Sequence, residues 1–332
     1  MIGKGVFHQG KDFMNWDQLY ENGRRFHLTD AEILELRPFY EQADKALLER
    51  SSAAFLEEYP QAEIEKAYPD AQDQARFGLL CVLAARPLLE THYHDHGYPE
   101  RMLDDISMDT AVWVRTLKRD LHCCGLPLKN LNWTRSCFRG TIKQFGRLQC
   151  SSTHLFNPKI SVYRKGNDLI ILPFDGKENP PDPALSWQDK CINLHIPALG
   201  PLKRRDCIES LRQMTDHFAE FQPDYDYRAV VCYSWILDPV LRGLLKPDSN
   251  ILAFQALGHN WRWEEIDQTK NVLSRVWGNA GVDAGPEHTE RLEQVNSLQK
   301  SVAAYLKNGG RFTEGVLIIF RDELSDLFLQ LK

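Results

Sequence analysis

The feature that most restricts the fold is a change of hydrophobic period near residue 132. Upstream, apolar residues recur every three or four positions; downstream they gather into short runs rich in Val, Ile, Phe and Tyr. The first pattern buries one stripe of a helix and the second fills strands, so the chain reads as α+β. A helical lobe, 1–131, is expected to precede a sheet domain, 132–332, and 332 residues suffice for two cores.

Within the helical part, "TDAEILELRPFYEQADKALLERSSAAFLEEY" begins with a capping box, Thr29 with Glu32, and Pro38 interrupts it. A second helix is predicted over 70–91, apolar nearly all round and therefore central. A third, "DDISMDTAVWVRTLKRDLHCCG", should stop at Gly125. After a short helix, "TRSCFRGTIKQF", come the strand candidates "GRLQCSSTHLF", "KISVYRK", "DLIILPFD", "CINLHIPA", "RAVVCYSWIL", "NILAFQAL" and "GVLIIFRD". "RKGND" supplies a hairpin turn, and a Pro-rich loop occupies 175–190. Helices are predicted over 205–221, 238–245 and 287–307, which gives a meander followed by alternating strands and helices.

A formal net charge of −6 argues against general binding of nucleic acid or anionic membranes, while leaving room for a local basic pocket. Eight cysteines without a CxxC pair, and a start at Met1 without an apolar core, point to a reducing cytoplasm. "THYHDHGY" crowds His92, His94 and His96, but the stretch follows a helix, so solvated histidines at a helix end are expected and no metal.

"INLHIPALGPLKRRDCIESL", 192–211, passes from an apolar strand through Gly200-Pro201 into a helix opened by Lys203, Arg204 and Arg205. A strand, a turn and a basic helix start together make a common phosphate cradle, because the first helical N–H groups are free and the dipole favours an anion. The same arrangement also serves as a plain crossover with solvated arginines, and Pro201 removes one donor.

The order of these elements resembles the GNAT superfamily of acyl-CoA-dependent N-acyltransferases. More narrowly, "GRLQ" at 146–149, "LHIPALGPL" at 194–202, "CYSWILDP" at 232–239 and "DSNILAFQ" at 248–255 resemble a bacterial family of acyltransferase-domain proteins. Its members pair a helical N-terminal region with a GNAT-like C-terminal domain. The resemblance implies that strands splay around an acyl-CoA co-substrate whose pyrophosphate sits at the next helix start. Here that means the backbone of Gly200 and Leu202 with Lys203, Arg204 and Arg205. The usual spaced glycines of that signature are missing; only Gly200 fits.

His195 shares one strand face with Asn193 and is the candidate base for a small-molecule or peptide amine. Cys232 and Ser234 are candidate acids for the departing thiolate, and Asn193, Trp235, Asn250 and Gln255 candidates for substrate binding. Each has a plain structural use as well: core histidine, buried cysteine, turn asparagine, core aromatic. Two other functions stay open, a non-catalytic ligand-sensing or protein-interaction module and covalent chemistry through a Cys232–His195 pair.

Overall fold

The structure, a computed structural model, describes residues 14–57, 60–155, 160–166, 168–173 and 182–331. Two compact units emerge, Met1–Ile142 and Lys143–Lys332. The 131/132 boundary expected from sequence falls inside a helix, Leu128–Phe138, whose Phe138 stacks on Phe26 and meets Phe55 edge-on, so that helix belongs to the first unit.

The first unit is helical. The Thr29–Glu32 capping box forms, but the single helix anticipated after it is three: Asp30–Leu34, Arg37–Gln42 and Lys45–Ala53. Pro38 sits in the first turn of the second piece, where a missing N–H costs nothing, and Asp44 caps the third. Likewise the helix predicted over 70–91 ends at Ala84, and Pro87 sits in the first turn of a new helix, Arg86–Asp95. That helix is the buried axis of the unit. A Cβ on its Gly78 would stand 2.2 Å from the Leu126 carbonyl oxygen, so only glycine allows the 125–126 segment to cross there. The Glu100–Leu121 helix ends at left-handed His122, and not at Gly125. His92 and His94 lie within a helix, and the His92 and His96 rings lie tilted against each other with centroids 4.1 Å apart.

The sheet unit is built from β1 (Ile142–Phe145), β2 (Leu148–His154), β3 (Ile160–Lys165), β4 (Asp168–Pro173), β5 (Leu185–Ser186), β6 (Lys190–His195), β7 (Ala229–Ser234), β8 (His259–Asp267) and β9 (Thr313–Phe320). Six strands form one sheet in the order β1-β2-β6-β7-β9-β8, and a smaller sheet runs β4-β3-β5. β6 and β7 pair in parallel, while β2 with β6, β7 with β9 and β8 with β9 pair antiparallel. β3 and β4 form the expected hairpin, with Gly166 left-handed.

Five local expectations are corrected. "IKQF" is strand β1, not helix, and "NILAFQ" is a helix, Asn250–Gln255, because the Ser249 hydroxyl accepts from the Ile251 N–H and starts it. "WIL" leaves the sheet as a 3-10 turn, Trp235–Leu237. The helix placed at 287–307 starts only at Ser297, where Asn296 and Gln299 form a capping box, and Val295 ahead of it is 68% exposed. The helix placed at 238–245 shrinks to Leu241–Leu244. Strand β8 was not anticipated. Of the Pro-rich loop, 175–181 lies outside the described residues, as does the start of the chain at 1–10.

The two sheet faces differ. On one, Cys191, Ala229, Val231, Val316, Ile318 and Phe320 pack against Ile160, Val162 and Leu185 of the small sheet. The other carries Ile192, Leu194, Val230, Cys232 and Leu317, and the long Arg204–Phe221 helix runs there with Cys207, Ile208, Leu211 and Met214 buried.

Candidate active site

The parallel pair β6 and β7 stays in register from Cys191 opposite Ala229 to Leu194 opposite Cys232, and then stops. His195 has no partner on β7, and Tyr233 and Ser234 have none on β6, although each strand continues. The two strands part there in the middle of the sheet. Beyond this point the facing edges of the two strands are no longer laddered to each other.

His195 stands at this fork. Its Nε2 is 3.0 Å from Ser151 Oγ on β2. Burial holds its pKa down at about 4, so the ring is neutral at ordinary pH. Asn193, on the same face, has a buried side-chain oxygen without a hydrogen-bond partner among the described residues. An orphaned buried acceptor beside a neutral imidazole suits a ligand that brings N–H donors.

Cys232 is not in this constellation. Its register partner is Leu194, so it faces the helix side of the sheet, whereas His195 faces the small-sheet side. It is buried, and desolvation drives its thiol far above the usual range. A Cys232–His195 pair is therefore excluded by the alternation of the strand. Ser234, two residues on, pairs with Gly315 of β9 and shares the Cys232 face, and its Oγ accepts from the Ile236 N–H at 3.4 Å. Tyr233, unassigned to proton transfer in the sequence, shares the His195 face.

Two further candidates, Gln255 and Trp235, are packed into the scaffold. Gln255 is 1% exposed and donates to the Ile236 and Asp238 carbonyls, and Trp235 is buried against Phe312. Asn250 is an exposed first-turn residue of its helix.

The turn after β6 delivers the chain to the Arg204–Phe221 helix, whose N-cap, Lys203, provides no side-chain cap. Gly200 has φ +102°, which glycine adopts without strain, and open space where a side chain would be. Arg205 and Lys203 are exposed. Arg204 is occupied elsewhere: its guanidinium donates to the Ala253 and Ala256 carbonyls at the end of the Asn250–Gln255 helix and to Gln330 Oε1. A cleft of about 540 Å³ beside this helix start is lined by Arg147, Leu199, Arg205, Asp206, Glu209 and Gln213, among others. Arg147 belongs to the "GRLQ" stretch; it donates to the Pro197, Gly200 and Pro201 carbonyls at 2.9, 2.8 and 3.1 Å.

His217, buried on the long helix, is also held at about 4, by burial and by the Lys143 charge. Unfolded histidine protonates near pH 6.5, the native pair only near 4, so the unfolded state gains protons first as pH drops. Stability is then expected to be full above pH 6.5 and to fall steadily towards pH 4. Denaturant midpoints at pH 7 and 4.5 measure it; His217→Phe should flatten the slope, and an identical slope would contradict this account.

Among solved structures the chain is similar to an acyltransferase in complex with decanoyl-CoA (TM-score 0.67, 19% identity, 94% of this chain and 90% of that one). It is also similar to an acyltransferase in complex with decanoyl-CoA and teicoplanin (0.66, 20%, 94% and 90%) and to an acyltransferase mutant in complex with octanoyl-CoA (0.66, 19%, 93% and 90%). At these identities the likeness establishes the fold, helical region included. No curated protein matches the chain. No helix among the described residues is long and apolar enough to cross a membrane. The family profile described as GNAT-like C-terminal domain matches residues 142–317, more than half of the chain and the whole region of the parted strands, and the chain belongs to that family.

Proposed function

We propose that the protein is an acyl-CoA-dependent N-acyltransferase. The observation that carries this reading is the parting of β6 and β7 after Leu194 and Cys232, which separates two neighbouring strands in mid-sheet beside a neutral histidine. The similar solved structures, acyltransferases holding octanoyl- or decanoyl-CoA, support a medium-chain acyl-CoA as co-substrate.

In this reading the pantetheine arm lies between the parted strands, and a β7 backbone N–H polarises the thioester carbonyl. An amine attacks that carbon; as its N–C bond forms, the nitrogen's proton becomes acidic enough to pass to His195 Nε2 or through Ser151. The C–S bond then breaks, and the coenzyme A thiolate takes a proton from Tyr233, the β7 side chain on the His195 face of the fork. Asn193 Oδ1 accepts an N–H from the acceptor or from pantetheine. The pyrophosphate rests on the Arg204–Phe221 helix start with Lys203 and Arg205, while Arg204 only braces the neighbouring helix. The teicoplanin in one of those complexes suggests that an amine on a larger molecule also fits as acceptor.

Calorimetric titration with coenzyme A and decanoyl-CoA tests the assignment. Saturable binding is expected, weakened about tenfold or more by Lys203→Glu with Arg205→Glu, since charge reversal at a helix start works against an anion. No binding by the wild-type protein would overturn the reading and leave the fold as a scaffold.

A further inference from the structure

Arg147 is the residue of the β1–β2 turn, and nothing in the reaction above uses it. Its position is nonetheless unusual. The side chain crosses to the segment after β6 and places three of its five N–H donors on three carbonyls of one turn: NH1 on Pro197, NH2 on Gly200 and Nε on Pro201. Its own backbone N–H donates to Ser210 Oγ at 3.0 Å, and Ser210 Oγ donates to the Asp206 carbonyl at 2.9 Å. One residue thus ties the hairpin, the 197–201 turn and the first turns of the Arg204–Phe221 helix together.

We propose that Arg147 is a positioning residue for the pyrophosphate-binding turn, an inference that rests on the acyl-CoA reading above. The argument is one of peptide geometry. A trans peptide points its N–H opposite to its C=O. With the Pro197 and Pro201 oxygens drawn to Arg147, the N–H groups of Ala198 and Leu202 are turned to the far side of the segment. The Gly200 carbonyl belongs to a peptide ending on Pro201, which has no N–H to orient. Three carbonyls of the segment, those of Pro197, Gly200 and Pro201, are thus held by the guanidinium, and the Ala198 and Leu202 N–H groups point away from it. This explains how a turn without the usual spaced glycines offers an anion site: a side chain from the neighbouring strand fixes peptide orientations that a glycine-rich turn adopts by itself. Gly200, at φ +102° with open space around it, is the one position where flexible backbone is still needed.

The charge is only part of this role. Lysine keeps the positive charge but presents a single ammonium point that cannot span three carbonyls. Arg147→Lys is therefore the informative variant, and its thermal midpoint reports whether the fold is intact. Two readouts are combined: the dissociation constant for coenzyme A, and hydrogen exchange at the amides of 198–206 without ligand. Arg147→Lys is expected to weaken coenzyme A binding about tenfold, equal to about 1.4 kcal/mol, and to speed exchange in that segment, while kcat at saturating acyl-CoA changes little. A purely structural role would instead lower the thermal midpoint and kcat together. Wild-type affinity and exchange in Arg147→Lys would overturn the positioning role alone. Failure of the wild-type protein to bind coenzyme A would overturn the acyltransferase reading, and this role with it.

Discussion

His195→Ala should reduce kcat/KM by about 10²–10⁴, the usual yield of a positioned general base, and leave the coenzyme A dissociation constant where it was. The expectation follows from the fork: His195 is the titratable group at the point where β6 loses its β7 partner, 3.0 Å from Ser151 Oγ. With a pKa near 4 the ring cannot deprotonate an ammonium ion, whose pKa is about 10, so it acts only after a neutral amine has begun to bond. Activity of the wild-type enzyme should accordingly rise with pH towards the acceptor's own pKa, with no limb at 6.5. Steady-state rates of wild type and variant across that range decide the matter. A variant retaining full kcat would move the proton to water or to another group, and a limb at 6.5 would mean that the bound ring is solvated.

Much of this site was legible before the structure. The alternation of "CINLHIPA" put Asn193 and His195 on one face, and the break at Pro197 to Pro201 marked where the strand ends and the basic helix begins. Strand pairing was not legible. Whether Cys232 meets His195 depends on register between strands more than thirty residues apart, and a shift of one residue reverses the answer. Side-chain destinations were equally hidden: Arg204 and Arg205 are adjacent in a basic run, yet one braces a helix end and the other reaches a cleft. "NILAFQAL" misled because a short apolar run has no period of its own; the Ser249 cap decides it, together with the burial of Phe254 and Gln255 on one side. Arg147 was visible only as part of a motif, since its function lies in reaching a turn fifty residues away.

Asp238→Ala should cost the protein about 3–5 kcal/mol, a large share of the 5–15 kcal/mol that folded domains possess. Asp238 stands at the start of the helix predicted over 238–245, and its side chain is wholly buried and does more than begin a helix. Oδ1 accepts from the Val240 N–H at 3.0 Å, and Oδ2 accepts from the Thr313 N–H and hydroxyl at 2.8 and 3.1 Å. Arg262 Nε lies 3.4 Å away and also donates to Thr313 Oγ1. The carboxylate thus joins the turn leaving β7 to the first residue of β9 and to β8. Removing it orphans the buried Thr313 N–H and leaves Arg262 without its counter-charge. Asp238→Asn keeps the shape but loses the charge, and one of its two positions becomes an NH₂ aimed at existing donors, so it should be nearly as costly. Denaturant midpoints for both variants measure the effect; a loss below about 1 kcal/mol, the value of an ordinary surface pair, would mean that water replaces the carboxylate. The consequence reaches the site, because Trp235–Leu237 turns away just where β7 has left β6. If Asp238 holds that turn, a folded Asp238→Asn protein should also bind coenzyme A more weakly, which a purely global loss of stability would not produce below the unfolding transition.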